Sequence, residues 1–165
     1  MRPRLLAFAV AAGVIAADQL TKWWVVSALV IGETHTLVPG VLYVHRVENS
    51  GAAFGFLPGA GSFIALGAVA AAILIVLVVH RLEGRLESVA MGLVLGGALG
   101  NLLDRFFRGP GLLDGKVVDF LRFDFWRSFP AFNVADSGIT VGACLAILAA
   151  FVLTRKAQSD AADPS

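Results

Sequence analysis

Residues 62–79 read SFIALGAVAAAILIVLVV, a run of eighteen residues without one charged side chain. An uncharged apolar run of 18 or more residues is long enough to cross a bilayer as an α-helix. Three further apolar stretches, at about residues 5–31, 89–103 and 137–153, contain few charges. The sequence therefore predicts a polytopic membrane protein with four transmembrane helices.

The composition supports this prediction. Of the 165 residues, 58% are hydrophobic and 15% are charged, whereas soluble domains average roughly 45–50% apolar and about 25% charged residues. We expect a single integral-membrane domain over residues 1–157, followed by a disordered polar tail over residues 158–165. The first apolar stretch resembles a cleavable signal peptide, but because three more follow it, we interpret it as a retained span.

Charged and metal-binding residues are too sparse for several other classes of protein. The net charge is +1 and the basic residues never form a run, so we predict no nucleic-acid partner. The one cysteine, Cys144, lies in an apolar stretch, and the three histidines are far apart in the chain. A disulfide within one chain is therefore excluded, and we predict neither a metal site nor a cofactor.

Two longer segments connect the spans on one side of the membrane. Residues 33–61 contain short apolar runs on either side of Pro39-Gly40, which predict a strand or hairpin. Residues 104–136 combine charges with many Phe and Trp side chains, a pattern typical of the membrane–water interface. We therefore expect an all-α polytopic fold with a small β-containing extracytoplasmic segment between spans 1 and 2 and an interfacial segment between spans 3 and 4. Lysine and arginine divide evenly between the two sides, and we place the termini in the cytoplasm because their charges lie in short flanks.

Two ionisable residues interrupt the first span. Asp18 and Lys22 are four residues apart, so they lie on one helix face in the favourable order for an ion pair. Ionisable groups inside a membrane are expensive and therefore often functional. The pair is equally compatible with a self-neutralising role near the outer interface and with a role in a functional site.

The third span combines close-packing residues with polar residues at its end. Glycine recurs every four residues from Gly92 to Gly100, which lets helix backbones approach closely. Asn101, Asp104 and Arg105 follow at spacings that bring these polar groups near one another at the mouth of the helix.

Two further acids lie in apolar surroundings. Asp119 falls within VVDF at residues 117–120, where a lone acid should be neutralised, paired or used. Asp136 stands at the onset of the fourth span, where it could also serve as a helix N-cap. Two carboxylates brought together at low dielectric share one proton, and such a pair can hydrolyse an amide without a metal or a covalent intermediate. The triplet Asp136-Ser137-Gly138 matches pepsin-like proteases by coincidence, because it occurs once and leads into an apolar helix.

Five short blocks carry a family resemblance. They are DQLTK at residues 18–22, NSGAAF at 49–54, GGALGNLLDR at 96–105, VVDF at 117–120 and FNVADS at 132–137. With these blocks in this order, the sequence resembles the lipoprotein signal peptidases (signal peptidase II), enzymes of the bacterial inner membrane. Gly138 stands where the family often has another small or apolar residue, and residues 108–115 match no block.

The resemblance implies an aspartic endopeptidase in which Asp119 and Asp136 form the catalytic dyad. It assigns substrate binding and support of the dyad to a shell of polar residues, within which Asp18 and Lys22 perform no chemistry. The shell consists of Asn49, Gly51, Asn101, Arg105, Asn133, Asp18 and Lys22. The implied substrate is a prolipoprotein whose cysteine after the scissile bond carries diacylglyceryl. The implied setting is the lipid of the cytoplasmic (inner) membrane with the active site toward its outer face, and we expect a monomer.

Two other functions would also use intramembrane acids. A small ion-coupled transporter could place them in a polar cavity, but such carriers usually show internal repeats or broken helices, and this sequence shows neither. A non-catalytic scaffold would not explain why an acid, Asp119, lies within an apolar run. The peptidase hypothesis alone requires the carboxylates of Asp119 and Asp136 to meet.

Overall fold

The computed structural model describes residues 2–51 and 61–162. In chain order its elements are α1 (Pro3–Ala28), β1 (Thr34–Val38), β2 (Leu42–Asn49), α2 (Gly61–Val79), α3 (Arg85–Phe107), β3 (Val117–Phe123) and α4 (Val134–Ala162). Each of the four helices is long and apolar enough to cross a membrane. The prediction of four helices that could span a membrane is therefore confirmed. The sequence block at residues 49–54 lies within the described part of the chain only as far as Gly51.

Two helices are longer than the hydropathy of the sequence suggests. The third span was expected to end near residue 103, but α3 continues to Phe107, so that Asp104 and Arg105 lie on the helix. The fourth helix begins at Val134 and continues through Ala162. Residues 158–162 are thus helical where the sequence predicts a disordered tail, because they continue a helix that is already formed, and extending a helix costs less than starting one.

The two segments that follow α1 and α3 meet in one three-stranded antiparallel sheet of order β1-β2-β3. The predicted hairpin is present: β1 pairs with β2 across a turn in which Gly40 has a φ of +73°, a conformation that favours glycine. The third strand comes from residues 104–136, which the sequence marks only as interfacial. It pairs with β2 so that Val47 lies opposite Asp119 and Asn49 lies opposite Val117.

Helix α3 packs against α1, α2 and α4. Its contacts with α1 depend on the glycines that the sequence singles out. A Cβ atom on Gly96 would lie 2.7 Å from the carbonyl oxygen of Ala11, so a larger residue there would push the two backbones apart. A corresponding approach joins α4 to α3, where a Cβ on Gly142 would lie 2.7 Å from the carbonyl oxygen of Ala90. Helix α3 is thereby held close to both neighbouring helices.

The sheet packs across the C-terminal end of α1. Val25 of α1 and Leu29, which directly follows the helix, form a buried cluster with Val44 of β2 and with Val118 and Phe120 of β3. Burying a side chain of this kind contributes roughly 1.5–3 kcal/mol. This cluster fixes β3, and with it the acid between its two β3 members, against α1.

Arg46 of β2 adds a polar connection between the sheet and α1. Its Nη1 donates to the carbonyl oxygens of Val26 at 3.1 Å and Leu29 at 2.6 Å. A cation at a helix C-terminus is favoured by the helix dipole and satisfies carbonyl groups that lack an intrahelical partner. The hairpin therefore serves as the C-terminal cap of α1.

Candidate active site

The start of α4 sets the position of Asp136. The side-chain Oδ1 of Asn133 accepts a hydrogen bond from the backbone N–H of Asp136 at 2.9 Å. In return, Oδ2 of Asp136 accepts one from the backbone N–H of Asn133 at 3.1 Å. This reciprocal arrangement is a capping box, with Asn133 as the N-cap. The alternative that Asp136 itself caps the helix is thus wrong, since Asp136 lies inside the first turn.

Asn133 also reaches the second acid. Its Nδ2 donates to Oδ1 of Asp119 at 2.8 Å and to Oδ1 of Asn101 at 3.0 Å. Because its Oδ1 is taken by the backbone of Asp136, the orientation of the amide is determined. One fully buried asparagine therefore contacts both acids singled out in the sequence, one through its side chain and the other through its main chain.

Asp119 lies on β3 and is 4% exposed. Its Oδ2 accepts a hydrogen bond from Nδ2 of Asn49 at 3.0 Å, and Oδ1 of Asn49 accepts one from the backbone N–H of Gly51 at 2.9 Å. Burial is the main cause that raises the pKa of the Asp119 carboxyl to about 7, and the negative charge of Asp136 acts in the same direction. The hydrogen bonds from Asn49 and Asn133 oppose the rise. Near neutral pH this carboxyl can therefore carry a proton.

Asn101, on α3, connects Asp136 to α1. Its Nδ2 donates to Oδ1 of Asp136 at 2.8 Å, while its Oδ1 accepts a hydrogen bond from Nζ of Lys22 at 3.0 Å. Lys22 is completely buried and also forms ion pairs of 2.8 Å with Asp18 and with Asp104. Its ammonium group thus has three oxygen partners for its three N–H bonds.

Asp18 belongs to this site as well. Its Oδ1 accepts a hydrogen bond from the backbone N–H of Ala135 at 3.0 Å, in the first turn of α4. A carboxylate at a helix N-terminus is stabilised by the dipole and satisfies a free N–H group. The structure therefore places Asp18 and Lys22 in contact with the residues around Asp136. The two residues therefore do not form an isolated pair, because both also contact groups on α3 or α4.

Arg105 approaches from the end of α3 and is 5% exposed. Its Nη2 donates to the carbonyl oxygen of Gly51 at 3.2 Å. Its buried Nη1 has no hydrogen-bond partner among the described residues. A buried guanidinium with an unused donor is costly unless a ligand completes its hydrogen bonds.

A cavity of about 610 Å³ opens onto these groups. Its polar end contains Asn49, Gly51, Asn101, Arg105, Asp119 and Asp136. The remainder is mostly apolar, with walls from α2, α3, α4 and the segment before α4. Those walls include Ile64, Ala68, Val94, Ala98, Phe129, Phe132 and Ile139. Apolar residues on three helices thus extend the polar site into an apolar pocket.

Two residues of the polar network were not among the site residues predicted from the sequence. Asp104 is 1% exposed and accepts hydrogen bonds or ion pairs on both carboxylate oxygens. Gln19 donates from Nε2 to Asp104, to Asp18 and to the carbonyl oxygen of Gly100. Both lie inside quoted sequence blocks. The spacing that places Asp104 near Asn101 and Arg105 at the end of α3 was noted in the sequence, and it was the signal that could have added Asp104 to the predicted site residues. Across residues 2–51 and 61–162, no three potential metal-ligating side chains come together.

The family model described as signal peptidase (SPase) II matches residues 10–152. The chain belongs to the signal peptidase II family. Among its relatives, the lipoprotein signal peptidase of Rhodococcus jostii (strain RHA1) is 43% identical over 145 residues, which are 88% of this chain and 72% of the relative. The lipoprotein signal peptidase of Shouchella clausii (strain KSM-K16) is also 43% identical over 145 residues, covering 87% of this chain and 91% of the relative.

Solved structures resemble this signal peptidase II family member over most of its length. A bacterial membrane enzyme determined by the in meso method at 2.3 Å resolution superimposes with a TM-score of 0.80 and 32% identity, covering 90% of this chain and 88% of the other. A second bacterial membrane enzyme, at 1.9 Å resolution, superimposes with a TM-score of 0.76 and 33% identity, covering 87% and 90%. The signal peptidase II fold of this chain, with its four apolar helices, is thus the fold of known membrane enzymes.

Proposed function

We propose that this family member is a membrane aspartic endopeptidase that removes the signal peptide from diacylglyceryl-modified prolipoproteins, cleaving before the lipidated cysteine. The family, and the name lipoprotein signal peptidase shared by its relatives, support the substrate class. The aspartic mechanism is carried by one observation, the contact of Asn133 with both Asp119 and Asp136 at the polar end of the cavity. No observation favours the transporter alternative.

In the proposed reaction Asp119 and Asp136 share one proton. A water molecule attacks the scissile carbonyl carbon and gives a proton to the ionised carboxylate, while the protonated carboxyl donates its proton to the carbonyl oxygen. When the C–N bond breaks, the newly protonated carboxyl gives its proton to the leaving amine. The other carboxylate takes a proton from one hydroxyl of the tetrahedral intermediate, which yields the new carboxylic acid and restores the shared proton of the dyad. The pKa of about 7 for Asp119 supports this assignment, because it keeps a proton available in the dyad at neutral pH.

The surrounding polar residues orient the dyad and hold the substrate. Asn49, Asn101 and Asn133 donate hydrogen bonds to the two carboxylates without adding net charge. The unused Nη1 of Arg105 faces no protein acceptor among the described residues, so we assign it to a backbone carbonyl of the bound substrate. Gly51, whose carbonyl accepts from the same guanidinium, keeps that group in place.

The apolar part of the cavity fits a lipid-modified substrate. Each CH₂ group buried from water contributes about 0.8 kcal/mol, so the acyl chains would hold the modified cysteine at the depth of the dyad. We propose that the substrate enters from the membrane, with the active site toward the outer face of the bacterial inner membrane and both termini in the cytoplasm. We also propose that residues 1–157 act as one domain and as a monomer.

Activity measurements on single substitutions test the mechanism. Asp119→Asn and Asp136→Asn should each abolish cleavage of a diacylglyceryl-modified peptide in detergent, because neither carboxyl can replace the other. Both proteins should remain folded, as judged by gel filtration. All assays are run with and without EDTA, which should change no rate. Substantial turnover by either variant would remove that residue from the mechanism, and an EDTA-sensitive rate restored by one metal would contradict the metal-free reaction.

A further inference from the structure

Asp104 is the most highly connected carboxylate of the site. Its Oδ1 accepts from Nε2 of Gln19 at 3.2 Å and from Nε of Arg108 at 2.8 Å. Its Oδ2 accepts from Nζ of Lys22 at 2.8 Å and from the backbone N–H of Val118 at 3.2 Å. Two oxygens with four donors use the full hydrogen-bonding capacity of an ionised carboxylate.

The Oδ2 atom joins two separate routes to the reacting groups. The first is the peptide N–H of Val118, the residue immediately before Asp119 on β3. The second runs through Lys22 to the amide oxygen of Asn101, whose Nδ2 contacts Asp136. A single oxygen atom of α3 therefore touches both the strand that presents one acid and the chain of contacts that reaches the other.

The second route determines how the amide of Asn101 is turned. The three N–H bonds of Lys22 have three oxygen partners, on Asp18, Asp104 and Asn101. If the amide reversed, its NH₂ group would face the ammonium and its oxygen would face the carboxylate of Asp136. Both contacts would be repulsive. Lys22 thus keeps a donor directed at Asp136, and Asp104 keeps Lys22 in position.

Neutralisation of charge does not by itself explain Asp104. Lys22 already has a counter-ion in Asp18, four residues earlier on the same helix. Arg108 is 28% exposed and can be solvated without a partner. Among the described residues, no other acceptor contacts both the backbone N–H of Val118 and Nζ of Lys22, as Oδ2 of Asp104 does.

We propose that Asp104 is a positioning residue of the peptidase reaction, which sets the distance between Asp119 and Asp136 through its Oδ2 atom. This inference rests on the proposed function, in which these two aspartates are the catalytic dyad. Asp104 itself does not line the cavity, so it acts through the groups that it holds.

Two substitutions separate the position of the acceptor from its charge. Asp104→Asn removes the charge but can keep an oxygen at the Oδ2 position, with its NH₂ group toward Gln19 and the movable side chain of Arg108. Asp104→Glu keeps the charge but moves the carboxylate by one CH₂ group. A positioning role predicts that the Asn variant retains kcat within about fivefold, since the two hydrogen bonds that are lost both lie on Oδ1, outside the two routes. The Glu variant should lose about 100-fold in kcat, the scale expected for small misplacement of reacting groups, with little change in KM.

Arg108→Gln is the matched control. It removes the other ion-pair partner of Asp104 but leaves both routes from Oδ2 intact, so kcat should stay within about twofold of the parent, as expected for a partly exposed pair. Rates are measured on the full-length protein in detergent with a diacylglyceryl-modified peptide and are divided by the folded fraction from gel filtration. A purely structural role would lower that fraction and leave the kcat of the folded protein unchanged.

The order of the two variants decides the inference. A Glu variant that is faster than the Asn variant would mean that Asp104 supplies charge, and the positioning role would be wrong. Equal rates in the two variants, whether high or low, would also overturn it. Asp119→Asn and Asp136→Asn are measured in parallel. If either of them is active, the proposal that Asp119 and Asp136 form the catalytic dyad is wrong. If both are inactive and the Asn variant of Asp104 is still not faster than the Glu variant, only the positioning role of Asp104 is wrong.

Discussion

Replacing Asp119 by asparagine should remove activity and yet stabilise the fold at alkaline pH. Burial raises the pKa of this carboxyl from about 3.8 to about 7, and each unit corresponds to about 1.4 kcal/mol. The folded state therefore binds a proton more tightly than the unfolded state does. The stability gained from this proton is complete below about pH 4 and is lost as the pH rises through about 7, where the difference reaches roughly 4 kcal/mol.

Asparagine avoids this loss but introduces a smaller one. The two oxygens of Asp119 accept from Nδ2 of Asn49 and from Nδ2 of Asn133. An asparagine at this position has only one oxygen, so its NH₂ group must face one of those donors, at a cost of about 1–3 kcal/mol. We expect the variant to be less stable than the parent at pH 4 and more stable by about 1–3 kcal/mol at pH 8, from the difference of the two effects.

Thermal unfolding in detergent at pH 4, 5, 6, 7 and 8 measures this crossover as a difference in Tm between variant and parent. Asp124→Asn is the control, because it removes a carboxylate that is one-third exposed and paired with Arg127 in the same segment. Its Tm difference should not change sign over the same range. If the difference between Asp119→Asn and the parent were constant from pH 4 to pH 8, the buried carboxyl would not titrate near pH 7 and the reasoning would be refuted.

Three further predictions concern the reaction and its support. The kcat/KM should fall about tenfold per pH unit above about pH 7, as the dyad loses its shared proton with the pKa of Asp119; a pH-independent rate between pH 7 and 9 would contradict this. Lys22→Met should lower stability by about 3–5 kcal/mol, because it strands the buried carboxylates of Asp18 and Asp104, and a variant with the Tm of the parent would show that these ion pairs are not coupled to folding. A peptide with an unmodified cysteine should be cleaved far more slowly than its diacylglyceryl form, since the cavity walls are largely apolar, and equal initial rates in one detergent would exclude recognition of the lipid.

The transmembrane part of the fold could be predicted because it depends on local composition. Residues 62–79 need no partner to be recognised as a span, since an uncharged, predominantly apolar helix of that length is more stable in lipid than in water. The sheet depends on pairing between distant segments. Val47 and Asp119 are register partners although 72 positions separate them, and nothing in the composition of residues 104–136 identifies the hairpin as the partner of β3.

The candidate site was predictable in its residue types and less so in its contacts. Asp119 was identified because an acid among Val and Phe has no local explanation. Asp104 was not, because an acid near the end of a helix is ordinarily solvated, and its burial arises only when α1 and β3 close over it. The capping box of α4 was also hidden, since Asp at the third helical position replaces the usual Glu or Gln.

The asparagines around the two acids share one property that the sequence could not reveal. In each asparagine, a hydrogen bond accepted by the amide oxygen fixes the orientation of the amide. The oxygen of Asn49 accepts from the N–H of Gly51, that of Asn101 from Lys22, and that of Asn133 from the N–H at the start of α4. A neutral donor with a fixed direction steadies a carboxylate without removing its ability to take a proton, which an arginine at the same distance would do. Because reversal of any one amide would break a bond to its fixed partner, the direction of every donor is set before the substrate arrives, and electrostatic stabilisation of this kind needs no rearrangement during the reaction.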